Sequence, residues 1–440
     1  MVFSIEAPAT PRSLLRDACS FLRLIFPTSG RLGYQEENMK KTLAIALVLL
    51  LGCTFIFANG AKESAQATSD VTKIGFVVIG DENDQGYTFN FMNGMNAAMD
   101  QLKAEGYNVE LIIERNILED ASCVDANAAL AAEGCDIIFN NSYGFEQYMQ
   151  QVADDHPEIT FVSLTNCNSQ IDGRDNTYNA FARIYEGRYI AGIAAGMKIQ
   201  ELIDTGKIKA ADAKVGYVGA YSFAEVVSGM TAYYLGVRSV CPTATMMVQF
   251  VGSWSDPTLE AEAAQALIDK GAVLVSQHSD NTTPATTAQQ NNVFHTGYNN
   301  DMTGVAPKAS LLSCRIDWTK YFHDFVANYI NGVENPSDYT GTMGHGEVVV
   351  TELNTAIAAP GTQEAMDAAE KALADGTLQV FDLSKFTIGG EVGTNEKMYD
   401  SFAAVQGNAT YDGAFHESEL QSAPYFVGQI DGITWLNAAY

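Results

Sequence analysis

The chain has 440 residues, 47% of them apolar, and carries 25 basic against 53 acidic side chains for a net charge of −28. That length fills two or three domains with real cores. The acidic excess repels nucleic acid and anionic membrane surfaces over most of the molecule, and no basic stripe or RNA-binding aromatic motif offsets it, so a small molecule is the better partner.

In chain order, the first feature is MKKTLAIALVLLLGCTFIFANG from Met39, with two lysines, an apolar run from Leu43 to Ala58 and then small residues. This is the layout of an export signal over 39–58, followed by a linker over 59–70. Residues 1–38 then read as an over-extended reading frame. A membrane span is the alternative, but the run falls short of the roughly 20 residues a bilayer asks for. Two processing routes fit the segment. Leu51-Gly52-Cys53 resembles a lipoprotein box with Cys53 as the lipid attachment point, whereas Ala58 before Asn59 suits ordinary signal peptidase. Either way the expected location is outside the cytoplasm, periplasmic or lipid-anchored to the membrane. The five cysteines past the signal, Cys123, Cys135, Cys167, Cys241 and Cys314, are odd in number and scattered. They suit neither a disulfide framework nor a zinc site and read as buried hydrophobes.

From Lys73, KIGFVVI, VELII, DIIFN and TFVSL are short apolar strands separated by amphipathic helices near 89–105, 123–133 and 145–155. That alternation predicts βαβ units and a parallel sheet covered on both faces. YEGRYIAGIAAGMKI, 185–199, is a helix whose Gly and Ala content suits close packing. A second series repeats the order: KVGYVGA, a helix over 224–237, TMMVQFV, a helix after Pro257, AVLVSQ, a helix over 283–290, and VFHTGYN. The pattern predicts an α/β protein of two doubly wound parallel-sheet lobes. The first lobe spans 71–205, a polar crossover 206–214 and the second lobe 215–308. Residues 309–345 return to the first lobe, and 346–440 return to the second and add a tail with a helix and edge strands.

Several blocks in register, GDENDQGYTFN, NNSYGFEQYMQQVADDHPEITF, RIYEGRYIAGIAAGM, KVGYVGAYSFAEVVSGM, SWSDPTLEAEAAQALIDKGA, QHSDNTTPATTAQQ and HTGYNNDM, resemble the basic membrane protein family of type I periplasmic binding proteins, which includes purine nucleoside receptors of ABC importers. The resemblance implies two lobes joined by hinge strands, a ligand enclosed between them, a permease in the membrane as partner, and neither cofactor nor metal.

In such sheets ligands bind beyond the carboxyl ends of the strands. The loop after KIGFVVI therefore offers Asp84, Gln85, Gly86, Tyr87 and Asn90. Asp84 can accept hydrogen bonds from a ligand and equally suits a helix N-cap; Gly86 allows close approach; Tyr87 can cover a flat heterocycle or pack in the core. After DIIF stand Asn141, Ser142 and Tyr143. In the second lobe the resemblance makes Phe223 the ring that stacks on a purine, and the next strand ends supply Trp254 and Asp280. Asp256 before Pro257 suits a helix cap, His278 a structural imidazole, and Trp318 either the hinge side of the cleft or core packing. In GYNNDM, nucleoside-binding relatives carry an acid and a lysine for the ribose hydroxyls. This chain has Asn299, Asn300 and Asp301 there, which leaves a free base or another flat ligand open.

No nucleophile elbow, zinc-protease helix, phosphate-binding loop or dinucleotide fingerprint is present. The expected function is thus binding and delivery, not catalysis. A ligand-sensing surface receptor and a nucleoside hydrolase using cleft carboxylates are the competing readings.

Overall fold

The computed structural model describes residues 71–166 and 171–439. The export signal, Cys53, Cys167 and the segment 1–38 lie outside the described residues.

The chain begins β1 (Thr72–Val77), α1 (Tyr87–Ala104), β2 (Val109–Glu114), α2 (Ser122–Ala132), β3 (Ile137–Asn140), α3 (Glu146–Asp155), β4 (Thr160–Ser163) and β5 (Thr177–Ala182). It continues through α4 (Ile184–Asp204), β6 (Lys214–Gly219), α5 (Ala224–Val240), β7 (Thr245–Phe250), α6 (Pro257–Asp269), β8 (Leu274–His278), α7 (Thr283–Gln290), β9 (Phe294–Tyr298) and β10 (Ser310–Ile316). Then come α8 (Thr319–Ile330), β11 (Asp338–Gly341), β12 (Val348–Val350), α9 (Thr362–Ala374), α10 (Asn395–Met398), β13 (Thr410–Tyr411), β14 (Ala414–Phe415) and β15 (Ile433–Trp435).

These strands form two large sheets. The first is wholly parallel, in the order β11-β5-β4-β3-β1-β2; the second runs β12-β10-β9-β8-β6-β7-β15, parallel except where β12 pairs antiparallel with β10. In each sheet an early strand lies between its two successors: Ile74 of β1 faces Leu111 and Ile137, and Tyr217 of β6 faces Val248 and Ser276. The apolar runs behave as expected of strands covered on both sides, with Ile74, Phe76, Ile137, Ile138 and Phe139 fully buried. Among the described residues no helix is long and apolar enough to cross a membrane. Cys123, Cys135, Cys241 and Cys314 are free and buried.

The crossover differs from the expectation at 206–214. The chain leaves the first sheet at Arg183, and α4 already packs in the second lobe, against α5. The Gly-Ala composition explains why: a Cβ on Gly192 would come within 2.1 Å of the Tyr233 carbonyl oxygen, and one on Gly236 within 2.1 Å of that of Tyr189. Backbones that close exclude any side chain from the crossing. Two later crossings, at Asp317–Trp318 and over 342–347, lie beside the first. They are stitched by Arg183 N–H to Gly341 O at 2.8 Å and Asp317 N–H to Glu347 O at 2.6 Å. Trp318 takes the core option, stacking on Phe91 at 4.6 Å.

The tail adds β15 to the edge of the second sheet but does not stay with that lobe. Its own aromatic core includes Phe381 stacked on Phe426 and Tyr399 on Tyr425, each at 4.7 Å. Ser422 bonds to the first lobe twice: Asn179 Nδ2 donates to its Oγ and its N–H donates to Asp338 Oδ2, both at 2.7 Å.

Candidate functional site

The carboxyl ends of β1, β3, β6, β7, β8 and β9 converge on a narrow slot between the lobes, with about 290 Å³ of unfilled space. Much of that space is open to solvent, and the enclosed part has room for about one water molecule, so the slot must open to take a ligand. Of the residues read from the sequence, Tyr87, Ser142, Tyr143, Trp254 and Asp280 line it. Ile79, Glu225, His278 and Tyr298 line it as well, and sequence reasoning did not assign them to the site.

The lobes meet here. Tyr143 of the first lobe stacks on Phe223 of the second, 5.5 Å between centroids and 19° between planes. Phe223 stacks in turn on Tyr221 at 4.9 Å, and Tyr221 meets Trp254 edge-on at 5.0 Å. The resulting aromatic column runs through the cleft. Beside it, a Cβ on Gly86 would stand 1.9 Å from the Asp280 carbonyl oxygen. Only glycine lets the two loops touch.

Tyr87 donates its hydroxyl to the Asn141 carbonyl and rests edge-on against Phe91 at 4.9 Å, which fixes its ring at the slot wall. Asp280 is buried and accepts a 3.4 Å bond from Asn299 Nδ2 at one oxygen. Burial, and then the neighbouring carboxyls Asp84, Glu260 and Glu225, hold its pKa well above the usual carboxylate range. Glu225 is buried too, and burial pushes it up to about 7, opposed by the Arg188 guanidinium. Its Oε1 lies 3.3 Å from His278 Nε2. That contact is not an ion pair, because burial and Arg188 hold the imidazole well below its ordinary pKa and keep it neutral. Arg188 stands behind the slot, 3.5 Å over the Tyr298 ring, with Nη1 donating to the Gln277 carbonyl at 2.7 Å. Among the described residues, its Nε and Nη2, His278 Nδ1 and Trp254 Nε1 are buried without hydrogen-bond partners. Such groups are costly to leave unmade.

Other expected contacts are directed elsewhere. Asp84 caps α1 from two residues before its N-cap Gly86: Oδ1 accepts from Gly86 and Phe89 N–H at 2.9 and 3.1 Å, and Oδ2 from Thr88 N–H at 2.7 Å. Gln85 is exposed in a left-handed conformation, φ 48°, and its carbonyl accepts from Asn300 Nδ2 at 2.8 Å. Asn90 pins α1 to the hinge through Ile316 O at 2.9 Å. Asn141 Oδ1 holds Ile79 N–H at 3.0 Å, while its buried Nδ2 has no partner among the described residues. Ser142, at the slot wall, spends its hydroxyl on Glu119 at 2.7 Å. Asn299, at φ 65°, reaches Asp280 rather than the slot, and exposed Asp301 closes a turn by accepting from Thr303 N–H at 2.9 Å. Asp84, Gln85, Asn90, Asn299 and Asp301, read as ligand contacts from the sequence, do not line the slot in this structure and make the protein contacts just described. Asp256 caps α6 as its Asp-Pro pair implies, accepting from Thr258 and Leu259 N–H at 3.0 Å.

The family model described as ABC transporter substrate-binding protein PnrA-like, Bmp, matches residues 71–377. A purine-binding protein of Brucella abortus is 31% identical over 276 residues, 63% of this chain and 74% of that protein. A putative ABC transporter glucose-binding protein of Haloferax volcanii is 33% identical over 217 residues, 49% of this chain and 52% of that one. Among solved structures, an ABC transporter solute-binding protein of Aeropyrum pernix gives a TM-score of 0.59 at 13% identity, covering 70% of this chain and 93% of its own. One from Conexibacter woesei gives 0.54 at 21%, covering 70% and 98%. At these identities the structures speak for the fold alone, that of a type I periplasmic binding protein.

Proposed function

Because the chain belongs to the Bmp family of ABC transporter substrate-binding proteins, we propose that it captures a purine or purine nucleoside between its lobes and hands it to a membrane permease. The observation that carries this reading is the pair Tyr143 and Phe223, one ring from each lobe, parallel across the slot. Rings so placed are suited to part and take a planar heterocycle between them. Glu225 and Asp280 at the same slot give acceptors for ring N–H and amino groups, and a ligand that donates to them relieves the cost of two buried carboxyls. The purine-binding relative in Brucella supports the same choice.

Capture works by closure of the lobes about the three crossings, and the closed form is what the permease recognises. Export through residues 39–58, with or without a lipid on Cys53, belongs to this reading, since the permease faces the ligand from outside the cytoplasm.

The test is mass spectrometry of the small molecule that co-purifies with the protein, followed by a thermal-shift panel of bases, nucleosides and glucose. A ligand at 100 times its dissociation constant adds about 2.7 kcal/mol of stability. A purine compound giving the largest shift is the expected result; a shift from glucose alone overturns the reading in favour of sugar transport.

A further inference from the structure

Beside the slot lies a compartment of about 380 Å³, partly open to solvent, that shares Tyr143 and Glu225 with the slot. Its outer wall is the tail, which lies beyond the stretch matched by the family model, 71–377. Asp400, Phe402 and Ala404 line it from one tail loop and Gln421 from another, facing Thr165 of the first lobe. Phe402 is 93% exposed, an apolar ring held in solvent at the rim. Ser422, next to Gln421, bonds to Asn179 and Asp338 of the first lobe, while Asn437 and Phe250 exchange two 2.8 Å bonds in the second. The wall is thus fastened on both sides.

Meanwhile the loop after β9, where the acid and lysine of nucleoside-binding relatives are replaced by asparagines, is already committed: Asn299 to Asp280, Asn300 to the Gln85 carbonyl, Asp301 to its own turn. A ligand whose ring parts Tyr143 from Phe223 finds the polar side chains there already engaged. Beside Tyr143, one oxygen of Asp400 accepts from Phe402 N–H at 2.9 Å, and among the described residues the other accepts no hydrogen bond.

We propose that the tail is a third wall of the ligand site, and that its compartment receives the hydroxylated substituent of a purine nucleoside, with Asp400 accepting from a hydroxyl. This rests on the purine reading above and adds which end of the ligand points where.

The experiment is calorimetric titration of the full chain with three base and nucleoside pairs: adenine and adenosine, guanine and guanosine, hypoxanthine and inosine. The wild type is expected to prefer a nucleoside to its base. Ala404→Trp, which fills the compartment, is expected to weaken the nucleoside by about tenfold or more and to leave the base within about twofold, a tenfold change being about 1.4 kcal/mol. Should circular dichroism show that variant misfolded, Asp400→Asn is read the same way. Equal loss for base and nucleoside, or no loss for either, overturns the proposal. A wild type that binds bases but shows no preference for nucleosides also overturns it while sparing the purine reading; a wild type that binds none of the six overturns both.

Discussion

Tyr143 and Phe223 sit on loops of different lobes and yet stack at 5.5 Å with planes 19° apart. That separation leaves no gap for a third ring, so a flat ligand must replace one ring-ring contact by two ring-ligand contacts. Tyr143→Ala and Phe223→Ala are each expected to weaken binding of the best purine from the thermal-shift panel by about 1 to 3 kcal/mol, the range for a base stacked on an aromatic side chain. Calorimetry measures this; unchanged affinity in both variants would remove the sandwich.

Closure depends on Gly86. Its substitution by alanine puts a Cβ where the Asp280 carbonyl oxygen already stands, 1.9 Å away. Gly86→Ala should keep the stability of each lobe but hold the lobes apart, so small-angle scattering at saturating ligand shows no compaction and affinity falls by about tenfold or more. A variant that compacts like the wild type contradicts this.

Protons titrate with the fold. Glu225, Glu260 and Glu417 are each pushed by burial up to about 7. Between the usual carboxylate range and that value the folded protein keeps protons that the unfolded chain releases. Stability therefore falls as pH rises through this window and levels off above it. Urea unfolding at pH 5 and pH 8 should show the decline, and Glu225→Gln should recover on the order of 2 kcal/mol at pH 8. A profile that rises across the window would contradict the burial of these acids.

Asp84 distinguishes a cap from a ligand contact. Three backbone N–H groups bond to its carboxylate, so Asp84→Ala is expected to cost about 1 to 2 kcal/mol of stability while leaving ligand affinity within about twofold. Loss of affinity at unchanged stability would return Asp84 to the ligand.

The strand and helix order of both lobes was legible because apolar runs buried on two faces leave an unbroken signature, as in KIGFVV. Strand β5 was not. Its TYNAFA carries Asn179, a polar residue at a fully buried position, whose Nδ2 donates to Asp338 and Ser422, residues 159 and 243 positions away. No local pattern announces such partners. In the site, rings and loops at strand ends were visible, since topology sends those ends to the cleft. Glu225 was overlooked because an acid in the first turn of a helix has an ordinary explanation in the helix dipole. Its burial beside His278 and Arg188 comes from β8 and α4, and only folding brings those together. Asp301 lies in the expected segment, but in this structure its carboxylate accepts from Thr303 N–H within its own turn and does not line the slot.

The helix crossing at Gly192 and Gly236 has a mechanical meaning. Since α4 follows the first link directly and is locked backbone to backbone onto α5, in the proposed closure that lobe would move as a stiff lever with no slack between its arm and its pivot. Bending is then confined to the few residues of the three links, and a side chain inserted at either glycine would loosen the lever far from any ligand.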